Sequence, residues 1–348
     1  MGLGLGWLFS TSFEITKNLL AWGIIVAGIG IVISALLSFL NLRIPIHSFI
    51  GALSGGIIIS LILSSGLGYF VGFGVDSWGY TATGIESFSG SITLDNIYLE
   101  VDIVNGPIKV STWNKNEYSI NVTIKAKGPS QADAEDNLND LNILFEESLL
   151  QDQMRLVIGH SIPFLSESRY ILEVDAFLPG NAMINLKLDS SNGGISLAQI
   201  NGIVLEMETS NGRLNLEDVY AKNISGRTSN GRIDGKIEAE IVDLSTSNSR
   251  IDVEIPSSIT GDYSFHTSNG AIKLTVGFFP RVGYDLDLST SNGDIDIAIP
   301  GLEYGENQRT NKEAQTKGFE DKSVQITIVA STSNSDIDLE IDQSIIYI

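Results

Sequence analysis

Seven nearly identical segments, SSNGGISL, TSNGRLNL, TSNGRIDG, TSNSRIDV, TSNGAIKL, TSNGDIDI and TSNSDIDL, recur along the C-terminal half of the chain. Their asparagines are Asn192, Asn211, Asn230, Asn248, Asn269, Asn292 and Asn334, with successive spacings of 19, 19, 18, 21, 23 and 42 residues. A period near 20 residues suits a stacked solenoid, in which no coil can bury its apolar side without neighbours. The third and fifth residues after each Asn run from Ile195/Leu197 to Ile337/Leu339, and the sixth and fourth before it from Leu186/Leu188 to Ile328/Ala330. This alternation of period two, with a change of parity at Asn, predicts two half-buried strands per coil and a bend between them. Asn-Gly is expected to supply a left-handed backbone there. No 3.6-residue period supports helix. All seven Asn side chains should stack in one column, about 4.8 Å apart, and bond as an amide ladder.

The same template finds an earlier coil at Asn105-Gly106, between Leu99/Val101 and Ile108/Val110, and a weaker one at Ser89-Gly90 before Ile92 and Leu94. Two insertions are expected. Residues 111–180 hold alternating stretches, Tyr118 to Ala126 and Tyr170 to Leu178, around one helix. That helix should start near Ser130, where Ser130 and Asp133 form a capping pattern, and present Ala134, Leu138, Leu141 and Phe145 on one face. Residues 301–323 are charged and poor in apolar side chains, and read as a protruding loop.

The run Val104-Asn105-Gly106-Pro107-Ile108-Lys109-Val110, Trp113, the interposed strands and helix, the Leu178-Pro179 step and the serial TSNG repeats resemble the "putative adhesin" family of bacterial and archaeal β-solenoid domains, a domain of unknown function. The resemblance covers about residues 85–348. It implies a parallel, right-handed solenoid in a surface or envelope setting and brings no catalytic residues. Departures are Ser249 and Ser335 in place of the turn Gly, and the charged insertion after Pro300.

Residues 1–75 differ in kind. From Leu19 to Leu40 there are 22 residues without a charge, and a second uncharged stretch runs from Ile44 to Val75. At about 1.5 Å per residue the first reaches about 33 Å, against a hydrocarbon core of about 30 Å. A transmembrane hairpin over about 19–40 and 46–74 is expected, turning at Asn41-Leu42-Arg43. Small residues recur at helical spacing in both spans, from Gly23 to Ser38 and from Ser48 to Gly72, and suit close helix packing. Arg43 in the turn places that turn in the cytoplasm and residues 76–348 outside the cell. Asn121-Val122-Thr123 and Asn223-Ile224-Ser225 agree as glycosylation-type triplets. The fold class expected is therefore all-β, a parallel β-solenoid (76–348) with an inserted strand and helix segment, preceded by two transmembrane α-helices (1–75).

Charge sets limits on partners. The chain has 21 Lys plus Arg against 42 Asp plus Glu, a net −21, and residues 1–75 carry only Glu14, Lys17 and Arg43. The solenoid therefore holds −22, which disfavours nucleic acid. Without cysteine there is no disulfide framework, thiolate metal site or Cys nucleophile. His160 and His266 are the only histidines outside the membrane region, and neither lies in a catalytic motif. No cofactor is expected; calcium at Asp294/Asp296 and Asp336/Asp338 is the one weighed against a solvated acidic face. Arg213, Arg232 and Arg250 each follow a repeat Asn by two residues and should align as an outer stripe, paired with Asp234 and Asp252 and able to bind acidic glycan. The expected function is a non-catalytic, membrane-anchored surface adhesion or interaction module, with membrane lipid at residues 19–74 and a surface glycan or envelope protein as partners. The alternatives are an envelope-stress or signalling component that binds another membrane protein, and a polysaccharide-active enzyme.

Overall fold

A computed structural model describes residues 79–162 and 164–342. The transmembrane hairpin, its small-residue faces and its orientation lie outside these residues. Among the described residues no helix is long and apolar enough to cross a membrane.

The elements in chain order are β1 (Tyr80–Ser91), β2 (Asn96–Ile103), β3 (Ile108–Trp113), β4 (Glu117–Gly128), α1 (Gln131–Asp140), β5 (Ile143–Leu150), β6 (Gln153–His160), β7 (Tyr170–Pro179), β8 (Met183–Ser190), β9 (Ile195–Ala198) and β10 (Asn201–Thr209). They continue with β11 (Leu214–Thr228), β12 (Ile233–Thr246), β13 (Ile251–Ile255), β14 (Gly261–Thr267), β15 (Ile272–Val276), β16 (Val282–Thr290), β17 (Ile295–Ile297), β18 (Leu302–Asn307), β19 (Asn311–Thr316), β20 (Val324–Thr332) and β21 (Ile337–Ile341). Each coil gives one strand before its Asn to sheet I and one after it to sheet II. The long strands β11 and β12 serve both sheets, each running from one coil into the next.

The coils stack in parallel register, Leu186 beside Leu205 and Leu214 beside Ile195. The alternating apolar residues face inward from both sheets; Leu188, Leu205, Ile195, Leu197, Leu214, Leu216, Ile251, Ile272 and Ile337 are all essentially inaccessible. At about 1.5–3 kcal/mol for each such side chain fully buried, every added coil extends the core.

The stacking order departs from chain order at both ends. In sheet I the order is β6, β2, β8, β10, β11, β12, β14, β20, β16. In sheet II it is β7, β3, β9, β11, β12, β13, β15, β21, β17. The coil at Asn105 is thus second in space, covered by β6 and β7. The last coil in sequence, at Asn334, is inserted between those of Asn269 and Asn292.

Both insertions are more ordered than expected. Part of 111–180 is itself a coil, β6 and β7, and the rest covers the open strand edges that would otherwise pair with other chains. On sheet II, β4 pairs antiparallel with β7 and β1 with β4; on sheet I, β5 pairs antiparallel with β6. Ser89-Gly90 lies in β1 and makes no coil. Helix α1 starts as expected: Ser130 accepts from the Asp133 N–H at 3.2 Å, and Ala134 is buried. It stops at Asp140, because Leu141 turns extended. Phe145 belongs to β5, where it stacks on Phe88 with centroids 4.4 Å apart. Residues 301–323 are a hairpin, β18 and β19, docked antiparallel on β16.

Candidate functional site

The repeat motif is first a structural device, and its residues divide the work. The Asn side chains form one ladder, each Nδ2 donating to the next Oδ1 at 2.5–2.8 Å, in the order Asn292, Asn334, Asn269, Asn248, Asn230, Asn211, Asn192, Asn105. The Thr hydroxyls form a second, buried ladder. Thr228 Oγ1 accepts from its own coil's Gly231 N–H at 3.0 Å and donates to the preceding coil's Gly212 carbonyl at 3.0 Å. Ser190, Thr209, Thr246, Thr267, Thr290 and Thr332 likewise donate to a carbonyl of the coil beside them. In this way tight turns satisfy backbone groups that water cannot reach.

The glycine has a different reason from the one expected. None of the glycines that directly follow a ladder Asn has a positive φ. A Cβ at Gly212 would lie 1.8 Å from Gly193 O, and one at Gly231 1.7 Å from Gly212 O. At Gly212 and Gly231 close approach of successive backbones, rather than a left-handed turn, disfavours a side chain, while the coils of Ser249 and Ser335 accommodate one. Only Asn105, with φ 56°, fits the expected conformation. Ser249 and Ser335 keep the acceptor role, receiving the Thr267 and Thr290 hydroxyls.

With the core and turns occupied, recognition chemistry is left to the outer faces. On sheet II, Arg213, Arg232 and Arg250 lie on adjacent coils as expected, but they are unequal. Arg213 spends its Nε and Nη2 on both oxygens of Asp234, and this hydrogen bonding raises its pKa. Arg232 bonds Asp252 at 2.8 Å and lies 3.4 Å from Asp234. Asp234, between two guanidinium groups, is only 7% exposed. Arg250 reaches only the shared Asp252, at 3.4 Å, and its side chain is 52% exposed. Further along the face, pairs between neighbouring strands continue: Lys236 with Glu254 at 2.7 Å and Lys273 with Glu340 at 2.8 Å, each partner raising the lysine pKa. Sheet I is knitted at its N-terminal end by Glu100, which accepts from Arg155 at 2.8 Å and Lys187 at 3.1 Å. The bond from Lys187 leads in holding the Glu100 carboxyl below its usual pKa, against burial.

Other expected sites are not brought together. Among the described residues no group of three or more His, Asp or Glu side chains could hold a metal ion. Asp296 and Asp338 are register partners on neighbouring strands, but the carboxylates of Asp294, Asp296, Asp336 and Asp338 do not form such a group. Burial, then Asp296 and Asp336, raise the Asp338 pKa, while Asp336 accepts from the Asp294 N–H at 2.9 Å. His160 lies at the end of β6, and His266 Nδ1 meets Ser331 Oγ at 2.8 Å on the outer face of sheet I. The glycosylation-type Asn121 and Asn223 both lie inside paired strands, β4 and β11, rather than in surface loops. Sequence reasoning missed an aromatic pair on sheet II, Trp113 and Phe177, 64 residues apart and stacked with centroids 5.3 Å apart. Only the pairing of β3 with β7 unites them.

Residues 173–340 match the family model described as Toastrack DUF4097. No curated protein matches. Among solved structures, a "putative cell adhesion protein" from Clostridium sporogenes aligns at 11% identity and a TM-score of 0.40, over 75% of this chain and all of that one. A "putative adhesin" from Bacteroides fragilis aligns at 12% and 0.32, over 74% and 97%. A "putative lipid binding protein" from Parabacteroides distasonis aligns at 11% and 0.26, over 74% and 96%. Scores this low carry no argument about ligand or activity.

Proposed function

We propose that this chain, with its Toastrack DUF4097 match over residues 173–340, is a non-catalytic surface-interaction module. In this reading the apolar spans 19–40 and 46–74 anchor it in the membrane and hold the acidic solenoid outside the cell. The observation that carries the reading is the outer face of sheet II, a long ladder of paired charges that ends its arginine stripe on the under-committed Arg250. A guanidinium with unspent donors on a fixed strand suits the carboxylates or sulfates of a glycan.

The test is retention of the full-length protein on immobilised acidic glycan. Arg250→Gln should weaken it and leave thermal unfolding nearly unchanged, since exposed ion pairs contribute only about 0–1 kcal/mol. Arg213→Gln should instead destabilise the fold by about 1–3 kcal/mol, because the buried Asp234 loses its bidentate partner. Unaltered retention by the Arg250 variant would overturn the role given to the stripe.

A further inference from the structure

Along sheet II the outward residue six positions after the ladder Asn is long on most central coils: Glu217, Lys236, Glu254 and Glu340. On β3 and β9 the same column holds Ser111 and Ala198. The missing bulk leaves a hollow of about 190 Å³ between Phe177 and Glu217, lined also by Lys109, Asp175, Ser196 and Asn215. Phe177 is 36% exposed at the rim. Its ring is held in place by Trp113, whose indole N–H donates to the Glu117 carbonyl at 2.8 Å, and Lys115 lies over the indole, 4.2 Å from its centroid. Lys109 and Asp175 lie 3.6 Å apart and cancel in charge.

We infer that this hollow is a subsite for one neutral sugar ring of a longer glycan. Size decides against a whole small molecule, since enclosing pockets run to about 300–1,000 Å³. An open-sided hollow of this volume accepts one ring and lets the chain leave in both directions. Chemistry favours a sugar because the lining has two characters. A fixed aromatic ring offers its apolar surface to a ring's C–H groups, while the Ser196 hydroxyl, the Asn215 amide and the Glu217 carboxylate face its hydroxyl edge. With Lys109 and Asp175 cancelling, the Glu217 carboxylate leaves the lining negative, which repels an acidic ring and admits a neutral one, whereas the Arg250 end of the same face suits an acidic one. The inference rests on the surface-interaction reading above and adds a second ligand class to it.

The experiment applies full-length protein to immobilised neutral hexasaccharides of glucose, mannose, galactose and N-acetylglucosamine, beside the acidic glycan. At least one neutral glycan should be retained. Ser196→Arg, which fills the hollow without touching the aromatic pair, should weaken retention about tenfold or more, a loss of about 1.4 kcal/mol. Phe177→Ala should do the same, and Arg250→Gln should not. Thermal unfolding of the Ser196 variant should match that of the parent. Retention of acidic but of no neutral glycan would overturn the sugar subsite alone. Full retention by the Ser196 variant would overturn it too. Failure to retain either glycan class would remove the glycan reading of both ends of the face.

Discussion

Asn292 donates its side-chain amide to Asn334 at 2.8 Å, and Asn334 donates in turn to Asn269 at 2.8 Å. The last coil is therefore an inner layer, and the coil of β16 and β17 depends on it for both its parallel neighbours. A chain ending at Lys322 should lose more than its final strands. Hydrogen exchange should show protection gone at Asp285, Asp287 and Asp296 as well, whose amides face β20 and β21, while residues near Leu205 stay protected. Retained protection at Asp285 would mean that β16 needs no β20.

Gly212 and Gly159 differ in what an added side chain would meet. Gly212→Ala must push a methyl against the Gly193 carbonyl, a backbone atom that cannot swing aside. Overpacking costs about 1–3 kcal/mol where neighbours can adjust, so this site should cost about 3 kcal/mol or more. Gly159→Ala, in β6, has no atom within 4 Å of the new Cβ and should stay within about 0.5 kcal/mol. Urea unfolding of the two variants tests the close-approach cost, and equal losses would contradict it.

Thr228→Val keeps the side-chain shape but removes both hydrogen bonds of the hydroxyl, leaving the Gly231 N–H and Gly212 carbonyl unserved. The expected loss is about 1–3 kcal/mol. Thr228→Ser should retain most of the stability, because the hydroxyl is what the turn uses. Equal losses in the two variants would assign the effect to packing.

Asp189 lies on sheet I with Asp102 and Glu208 as its acidic neighbours; burial, then those carboxylates, raise its pKa. An acid raised in the folded state binds protons more readily there than in the unfolded chain, so stability falls as pH climbs from the ordinary carboxylate value through the folded one. Asp189→Asn should therefore raise the unfolding midpoint at pH 7, and the gain should shrink toward zero near pH 3, below the ordinary value of about 3.9. A gain independent of pH would point to something other than ionisation.

The coil motif was legible because its signal is local: period two around a polar turn fixes both strands and the ladder residue, and Asn105 was found by the same template. Coil order was not legible. A gap of 42 residues between Asn292 and Asn334 fits an insertion between adjacent coils as well as a path that doubles back. Residues 143–150 failed for another reason: Leu141 and Phe145 continue the spacing of α1, and only the extended backbone at Leu141 ends it. On the outer face, the Arg stripe followed from fixed offsets. The hollow beside Phe177 did not, because it is made by small residues on strands that meet only through tertiary pairing.

The order of coils positions the outer face of sheet II, on which both proposed ligand ends rest, and the absence of native cysteine makes it directly measurable. Lys273 in β15 pairs with Asp338 in β21, which pairs on its other side with Asp296 in β17. Neighbouring strands are about 4.8 Å apart, within the Cα separation of about 4.4–6.8 Å that a disulfide spans, and two layers are not. Oxidation of a chain carrying Lys273→Cys and Asp338→Cys should give a cross-link between residues 273 and 338, detected by peptide mapping. The pair Lys273→Cys and Asp296→Cys should remain reduced. A cross-link in the second pair and none in the first would contradict the interleaved stack and restore simple chain order.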